Sequence, residues 1–199
     1  MIFGKKSVSY IIVGLGNPGR EYENTRHNAG FHSIDRVAQK LNVKIDRLKF
    51  NALYGIGDID GKKVMLLKPQ TFMNLSGEAV RDAAKFYKVL PQNVIVLSDD
   101  ASLSEGTVRV RASGTDGGQK GLRNIILHLG TNEIPRVKIG VGTPDREEMD
   151  MADWVLKRLT AQELNLMDKT AERAALAAIE IVKNGATRAA STYNGTVKE

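Results

Sequence analysis

Three histidines are the natural candidates for acid–base chemistry in this sequence, because imidazole is the side chain that ordinarily titrates near neutral pH. His32 and His128 fall in stretches whose apolar residues recur at helical spacing, where a structural role is the commoner fate. His27 instead lies where a loop enters a predicted helix. The positive end of the helix dipole disfavours a protonated imidazole there, so His27 is suited to act as a general base.

A carboxylate partner for His27 is available at the end of a predicted strand. Asp99 follows the apolar run 93–97, and open α/β sheets bind ligands beyond the carboxyl ends of such strands. Its carboxylate could orient the imidazole and stabilise the imidazolium that forms when water loses a proton. The alternative interpretation of Asp99 and Asp100 is a turn or a helix cap.

Further candidates lie on loops. Asn17 and Asn74 each follow an apolar segment, where an amide can offer a donor and an acceptor to a peptide-like substrate; either could equally form a turn. Phe72 and Met73 lie beside Asn74 outside any predicted helix, and could contact a ligand or fill the core. The chain contains no cysteine, which excludes thiolate catalysis and disulfides, and no residue group has metal-ligand spacing. We therefore expect neither a catalytic metal nor a cofactor.

An α/β pattern supplies the elements that must position these residues. Apolar and β-branched runs predict strands at 9–14, 52–59, 63–67, 93–97, 107–112 and 137–141. Apolar residues at helical spacing predict four helices, which end near Leu41, Tyr87, Leu129 and Asn184. Asn24 or Thr25 is expected to cap the first helix, Ser76 the second, and Thr160 begins the last.

The predicted fold is a single α/β domain with a mixed, twisted central sheet flanked by helices and a long C-terminal helix. No repeat or Pro/Gly/Ser-rich linker divides residues 1–199. Residues 1–8 are interpreted as an N-terminal extension and residues 186–199 as a C-terminal tail, with 196–199 expected to be frayed.

The charge balance favours a polyanionic partner. Lysine and arginine number 29 against 23 acidic residues, a net charge of +6. Six basic residues gather in one part of the chain and suit phosphate contacts that do not depend on base sequence, although a solvated basic surface would look the same; they are Arg109, Arg111, Lys120, Arg123, Arg136 and Lys138. No apolar run is long enough for a signal sequence or a membrane span, so we expect a cytoplasmic protein without a membrane partner.

One glycine motif points elsewhere. Gly14, Gly16 and Gly19 match the G-x-G-x-x-G fingerprint of dinucleotide-binding folds. Pro18 precedes the third glycine, however, and residues 20–22 delay the following helix. No strand ending in an acidic residue follows at the expected distance of about 20 residues. We therefore expect no dinucleotide, and a nicotinamide enzyme is disfavoured.

Taken together, the motifs resemble those of bacterial peptidyl-tRNA hydrolases. They occur in order between about Tyr10 and Asn184: G-L-G-N-P-G at 14–19, Tyr22, N-T-R-H-N-A-G-F at 24–31, K-P-Q-T-F-M-N-L-S-G at 68–77 and G-G-Q-K-G-L at 117–122. The resemblance implies hydrolysis of the ester between a peptide and the 3′ end of tRNA. It also implies that His27 is the catalytic base, that Asp99 holds it in its basic form, and that Asn17 senses the blocked amine of the substrate.

The resemblance further assigns residues to substrate binding, with the acceptor end and 3′ CCA of peptidyl-tRNA as the partner. Asn74 and Met73 would line the channel for the peptide ester, and Tyr22 and Phe72 would hold the tRNA 3′ end. Arg111 and Lys138 would grip the 5′ phosphate of the tRNA. The protein is expected to act as a monomer.

The sequence departs from the family pattern in two places. Gln119 and Lys120 stand where the family often has His-Asn, so an ammonium replaces the amide thought to position water or the 3′ end; Lys120 could still bind phosphate or a carbonyl. Residues 98–100 read Ser-Asp-Asp where His-Asp-Glu is commoner, which keeps the central Asp99. The alternative function is a non-catalytic RNA-binding protein on the same fold, similar to some organellar splicing factors, and the intact His27, Asp99, Asn17 and Asn74 count against it.

Overall fold

The computed structural model describes residues 7–144 and 150–197, and within them eight strands form one mixed sheet. The strands are β1 (Tyr10–Gly14), β2 (Arg47–Lys49), β3 (Ala52–Ile59), β4 (Lys62–Pro69), β5 (Val94–Asp100), β6 (Thr107–Arg111), β7 (Arg136–Gly140) and β8 (Gly195–Thr196). The helices are α1 (Ala29–Leu41), α2 (Ser76–Tyr87), α3 (Lys120–Leu129), α4 (Met151–Leu156), α5 (Ala161–Asn184) and α6 (Ala186–Tyr193). Short 3-10 turns precede α1, α2 and β5 at Arg26–Asn28, Met73–Leu75 and Pro91–Asn93.

The sheet has a parallel centre and antiparallel edges. Its strand order is β2-β3-β4-β1-β5-β7-β6-β8, and β4, β1, β5 and β7 run parallel. Strands β1 and β5 are almost entirely buried because, as central strands, they are covered on both faces. The predicted hairpin between β3 and β4 is confirmed, and its turn places Asp60 and Gly61 at φ 50° and 80°, as a tight hairpin turn requires. The carboxyl ends of β1 and β5 therefore lie side by side.

Helices cover both faces of the sheet, which confirms the predicted flanked architecture. Alternation along β1 sends Ile12 to one face and Ile11 and Val13 to the other. Helices α1 and α5 bury the Ile12 face, and α2 and α3 bury the opposite face. The result is a three-layer α/β/α domain.

Helix α1 approaches the sheet so closely that glycine is required on both sides. A Cβ built on Gly30 would lie 2.4 Å from the Leu97 carbonyl oxygen, and one built on Gly14 would lie 2.5 Å from the Gly30 carbonyl oxygen. The backbone N–H of Phe31 also donates to the Leu15 carbonyl at 3.1 Å. These contacts fix the start of α1, and the turn that carries His27, against the ends of β1 and β5.

The long helix α5 buries a face made largely of alanine, comprising Ala171, Ala174, Ala175, Ala177 and Ala178. Small side chains let its backbone pack closely on α1 and on the sheet. Its first turn carries the predicted Thr160 cap, which forms a capping box with Glu163. At the other end the Lys62 ammonium donates to the Val182 carbonyl at 2.6 Å.

Several local predictions were wrong. Neither Asn24 nor Thr25 caps α1, because Asn28 occupies the N-cap position and the Thr25 hydroxyl donates to the Tyr22 carbonyl. The Ser76 hydroxyl donates to the Met73 carbonyl from within α2. The segment interpreted as a tail at 186–199 contains α6 and β8, and Thr196 pairs with Thr107 where fraying was expected. Residues 198–199, and residues 1–6 of the interpreted extension, lie outside the described residues, whereas Val8 is buried in the core.

None of the helices in the described ranges is long and apolar enough to cross a membrane.

Candidate active site

A cleft of about 760 Å³ opens at the carboxyl end of β5. One side is formed by His27 and by Asn17, which lies in the loop after β1. The other walls come from three segments, with Phe72, Met73 and Asn74 before α2, Gln119 and Lys120 at the start of α3, and Met151, Ala152, Val155 and Leu156 on α4. The structure therefore brings together most of the site residues that the sequence singled out.

His27 and Asp99 form the hydrogen-bonded pair that the sequence predicted. The His27 Nδ1 lies 2.8 Å from the Asp99 Oδ2, and the carboxylate is only 4% exposed. A carboxylate oxygen can only accept, so the proton of a neutral imidazole must sit on Nδ1. The His27 Nε2 has no partner in the part of the chain that the structure describes, and it is left as an acceptor at the cleft, which is the form a general base needs.

Gln119 holds the other oxygen of Asp99. Its Nε2 donates to the Asp99 Oδ1 at 3.0 Å and reaches the Met73 sulfur at 3.1 Å. Its Oε1 accepts from the backbone N–H of Leu122 at 2.7 Å and so caps α3. Because a backbone N–H is always a donor, this capping bond fixes which end of the amide faces Asp99.

Asn17 is held by Asn28 and holds the segment that follows β4. The Asn17 N–H donates to the Asn28 Oδ1 at 2.8 Å, and the Asn28 Nδ2 donates to the Asn17 carbonyl at 3.0 Å. The Asn17 Oδ1 accepts from the backbone N–H of Met73 at 2.8 Å. The Asn17 Nδ2 makes no hydrogen bond to the residues described, so this amide presents donors to the cleft.

The outer part of the cleft is apolar. Phe72 is 57% exposed, and Met151 and Leu156 on α4 are also exposed large apolar side chains. The same cleft is lined by Lys120, which is exposed at the first residue of α3. The cleft thus combines polar groups around His27 with exposed apolar side chains and a cation.

Asp100 and Lys138 form an ion pair beside the cleft. The Lys138 Nζ donates to the Asp100 Oδ2 at 2.7 Å, and the backbone N–H and hydroxyl of Ser102 donate to the Asp100 Oδ1. Burial works to raise the pKa of Asp100, but the bonds from Lys138 and Ser102 outweigh it and hold that pKa below its ordinary value. Asp100 is therefore a second carboxylate at the strand end, tied to a cation and not to His27.

The basic residues of β6 and β7 divide into exposed and buried groups. Arg109 and Arg111 are exposed on β6, beside Lys138 and Arg136 of β7 respectively. The suggestion that Arg136 contacts phosphate was wrong, because its side chain is 0% exposed. Its guanidinium donates to the carbonyls of Gly114, Thr115, Asn132 and Ile134, and burial lowers its pKa. Arg136 ties the glycine-rich loop to the sheet.

Tyr22 is the one sequence-predicted site residue that lies away from both the cleft and the basic strands. It is half-buried in the turn after Gly19, and its carbonyl accepts from Thr25. Residues of this turn line a second cavity of about 510 Å³, together with Lys68 and Gln70. The two cavities meet at Asn17.

Some residues of the site escaped sequence reasoning. Asn28 directly follows His27 in the motif at 24–31, which could have drawn attention to it. Its bond to Asn17 could not be predicted, because that bond depends on the fold. Helix α4 has six residues and too short a pattern to predict. Within residues 7–144 and 150–197, no group of three or more histidine or acidic side chains is arranged to hold a metal ion.

Comparison with known proteins gives consistent matches. The sequence model of the family described as peptidyl-tRNA hydrolase matches residues 11–199. A peptidyl-tRNA hydrolase of Caldanaerobacter subterraneus subsp. tengcongensis is 51% identical over 186 residues, which make up 94% of this chain and 100% of the relative. A peptidyl-tRNA hydrolase of Clostridium botulinum is 46% identical over 94% of this chain and 97% of its own length. The crystal structure of peptidyl-tRNA hydrolase from Acinetobacter baumannii superposes with a TM-score of 0.87 at 34% identity, covering 97% of this chain and 98% of that chain.

Proposed function

The chain belongs to the peptidyl-tRNA hydrolase family, and from that premise we propose that His27, Asp99 and Asn17 carry out its reaction in the cleft. The enzyme hydrolyses the ester between a peptide and the 3′ end of tRNA, and releases free tRNA. The observation that carries the residue assignment is the bond between the His27 Nδ1 and the Asp99 Oδ2. It leaves the Nε2 of a neutral imidazole as the proton acceptor at the cleft.

The proposed mechanism is direct attack by water. The His27 Nε2 removes a proton from a water molecule, and the oxygen attacks the ester carbonyl. The Asp99 carboxylate stabilises the imidazolium that forms, as a triad carboxylate does. The imidazolium then returns the proton to the ribose oxygen as the carbon–oxygen bond of the ester breaks. No covalent intermediate is needed, which agrees with a chain that has no cysteine and no G-x-S-x-G motif.

Asn17 gives a physical basis for discrimination between blocked and free amines. Its Oδ1 already accepts from the Met73 N–H, whereas the Nδ2 donors have no partner among the described residues and are offered to a substrate. A peptide or acetyl carbonyl can accept from these donors. The ammonium of a free aminoacyl group has only donors, so Asn17 would leave it unpaired and repel it.

The substrate is proposed to occupy the whole length of the site. Met73, Asn74 and the apolar wall that includes Phe72 receive the peptide ester and the 3′ end. Lys120, which lines the cleft, and Arg111 and Lys138, which lie on β6 and β7, contact phosphate. Tyr22 contacts the 3′ end from the turn after Gly19, whose other residues line the second cavity. We propose that the enzyme acts as a monomer, since His27, Asp99 and Asn17 of a single chain line one cleft. We also propose that it acts in the cytoplasm, with no membrane or dinucleotide partner.

The test is release of the acyl group from N-acetyl-aminoacyl-tRNA, with unblocked aminoacyl-tRNA as the control substrate. Wild type should cleave the first and spare the second. His27→Ala should lower kcat by about 10²- to 10⁴-fold, the usual contribution of a general base. His128→Ala is the matched control, because His128 is half-buried, is bonded to Arg81 and does not line the cleft, and it should match wild type. Binding of tRNA without release by wild type, or full activity of His27→Ala, would contradict the proposal.

A further inference from the structure

Arg26 directly precedes His27 but faces the opposite way. His27 lines the cleft, whereas the Arg26 side chain is 1% exposed and does not line it. Both belong to the same 3-10 turn, Arg26–Asn28. A three-residue turn has few internal bonds with which to fix its own orientation. The contacts of Arg26 at one end of the turn therefore help to set the direction of the His27 ring, together with the bonds between Asn28 and Asn17 at the other end.

Three separate segments hold the Arg26 guanidinium. Its Nη2 donates to Glu105 in the link between β5 and β6 at 3.2 Å, and to Glu163 in the first turn of α5. The Trp154 ring of α4 stacks on its flat face, with the ring centre 3.8 Å from the Arg26 Cζ. Such a planar face is a property of arginine that lysine lacks.

Trp154 links this arrangement to the wall of the cleft. Its Nε1 donates to the Gly142 carbonyl at 2.7 Å, just after β7. Its neighbours on α4, Val155 and Leu156, line the cleft. Arg26 thus connects the turn that carries the base to the helix that bounds the substrate cleft.

Burial of the Arg26 guanidinium costs free energy of folding, so stability alone does not explain it. The Arg26 Nε and Nη1 are buried and have no hydrogen-bond partner among the described residues. Buried cations with unsatisfied donors cost free energy, and apolar side chains of similar size often replace such groups without loss of stability. A role in orienting neighbouring groups explains why an arginine stands here.

We propose that Arg26 is a positioning residue for the hydrolase reaction: the contact between its guanidinium and the Trp154 ring holds the turn at Arg26–Asn28 so that His27 points its Nδ1 at Asp99. This inference rests on the proposed role of His27 as the base. It predicts that loosening Arg26 misdirects the base without removing any group that touches the substrate. The expected result is a fall in kcat with little change in KM.

The first variant is Arg26→Lys, which keeps the charge and loses the planar face. We expect kcat for N-acetyl-aminoacyl-tRNA to fall about ten-fold or more, since small displacements of a catalytic group cost that much, while KM changes less than about three-fold. The matched control is Arg36→Lys, because Arg36 pairs with Asp168 at 3.0 Å between α1 and α5 at the surface. Its kcat should equal that of wild type. Both variants are assayed well below their melting temperatures, so that the folded fractions are equal.

Substitutions of Trp154 test the contact between Arg26 and the Trp154 ring without replacing the buried arginine itself. Trp154→Phe keeps a ring over Arg26 and should retain most of the kcat, whereas Trp154→Leu should lower it as Arg26→Lys does. Combining Trp154→Leu with Arg26→Lys should add little, because both remove one interaction. In ¹⁵N-histidine-labelled enzyme, the Nδ1 proton of His27 should lose the NMR signal of its bond to Asp99 in the two impaired variants.

Two results would overturn the inference. One is a kcat of Arg26→Lys within about two-fold of that of Arg36→Lys. The other is an unchanged Nδ1 proton signal with lost activity. Failure of the proposed function would look different, since wild type and His27→Ala would then release the acyl group equally.

Discussion

At the scale of single residues, Asp99 is positioned by two donors from distant parts of the chain. His27 precedes α1 and Gln119 precedes α3, and each holds one carboxylate oxygen. A carboxylate with one oxygen free can rotate, and its histidine partner rotates with it. Gln119 therefore restricts the orientation of the base through Asp99. The comparison of sequence motifs, in which Gln119 stands where the family often has histidine, does not show this role.

Gln119→Glu tests this role while preserving the cap of α3. The new carboxyl can still accept from the Leu122 N–H, but it presents a like charge to Asp99 where the amide was a donor. We expect kcat to fall about ten-fold or more, the cost of misplacing a catalytic group, and the melting temperature to fall as well, because two buried carboxyl groups then face each other. Gln39→Glu on the exposed face of α1 is the control for the charge change. Equal kcat values for the two variants would contradict the prediction.

Sequence reasoning found the chemical groups of the site better than their partners. His27 and Asp99 could be chosen because each sits at the end of a predicted element, where ligands bind. Arg136 could not be separated from Arg111, because both are arginines on alternating strands, and only the path of the loop at 114–115 decides which one is buried. Which donor faces which acceptor is a property of the folded chain.

At the scale of elements, the carboxyl end of α5 is stabilised from outside the helix. Helix ends leave carbonyls without partners, and a nearby cation also interacts favourably with the helix dipole. The Lys62 ammonium, from the start of β4, supplies this by donating to the Val182 carbonyl at 2.6 Å. It joins the hairpin edge of the sheet to the last turn of α5.

Lys62→Met should therefore lower the stability of the fold. We expect the free energy of unfolding to fall by about 1 kcal/mol, the size of one such hydrogen bond, as measured by chemical denaturation. Lys63→Met is the matched control, since Lys63 pairs with Asp58 at 3.4 Å on the surface of the hairpin and should change stability much less. Equal losses in the two variants would show that the bond to α5 is not the cause. Activity should be unaffected in both, because neither lysine lies at the cleft.

The elements that were predicted are those with long patterns of apolar residues. The central strands and helices α1, α2, α3 and α5 each span at least five residues and carry a buried face that the sequence spacing reveals. Strands β2 and β8 have three and two residues, and α4 and α6 have six and eight, so their local patterns are weak. They form because the rest of the fold offers them an edge or a surface.

At the scale of the whole molecule, three carboxyl groups in the described part of the chain make the stability of the fold depend on pH in the acid range. The hydrogen bond from Arg123 is the main cause that lowers the pKa of Asp116. Burial works to raise the pKa of Asp100, but the bonds from Lys138 and Ser102 outweigh it and lower that pKa. Burial likewise works to raise the pKa of Glu163, and the bonds from Thr160 and Arg26 outweigh it. Each of these groups binds its proton less readily in the folded chain than in the unfolded chain.

The sign of the pH dependence follows from these shifts. The ordinary pKa values are 3.8 for the two aspartates and 4.5 for Glu163, so the stabilisation is complete above that range and is lost as pH falls through the lower folded values. Chemical denaturation should show a nearly constant free energy of unfolding from neutral pH to about pH 5, and a fall below about pH 4.5. Asp100→Asn should make that fall shallower, since it removes one of the three groups. A slope as steep as that of wild type would contradict the assignment to Asp100.

The alanine face of α5 limits which point mutations this sequence can accept. A single-nucleotide change in an alanine codon yields valine, threonine, serine, proline, glycine, aspartate or glutamate. Six of these add atoms to a tightly packed contact, or place a polar group in it, and glycine lowers helix stability by about 1 kcal/mol. Ala171, Ala174, Ala175, Ala177 and Ala178 are all buried, so most point mutations there are harmful. A helix that contributes no catalytic group is thus among the parts of this enzyme least free to vary.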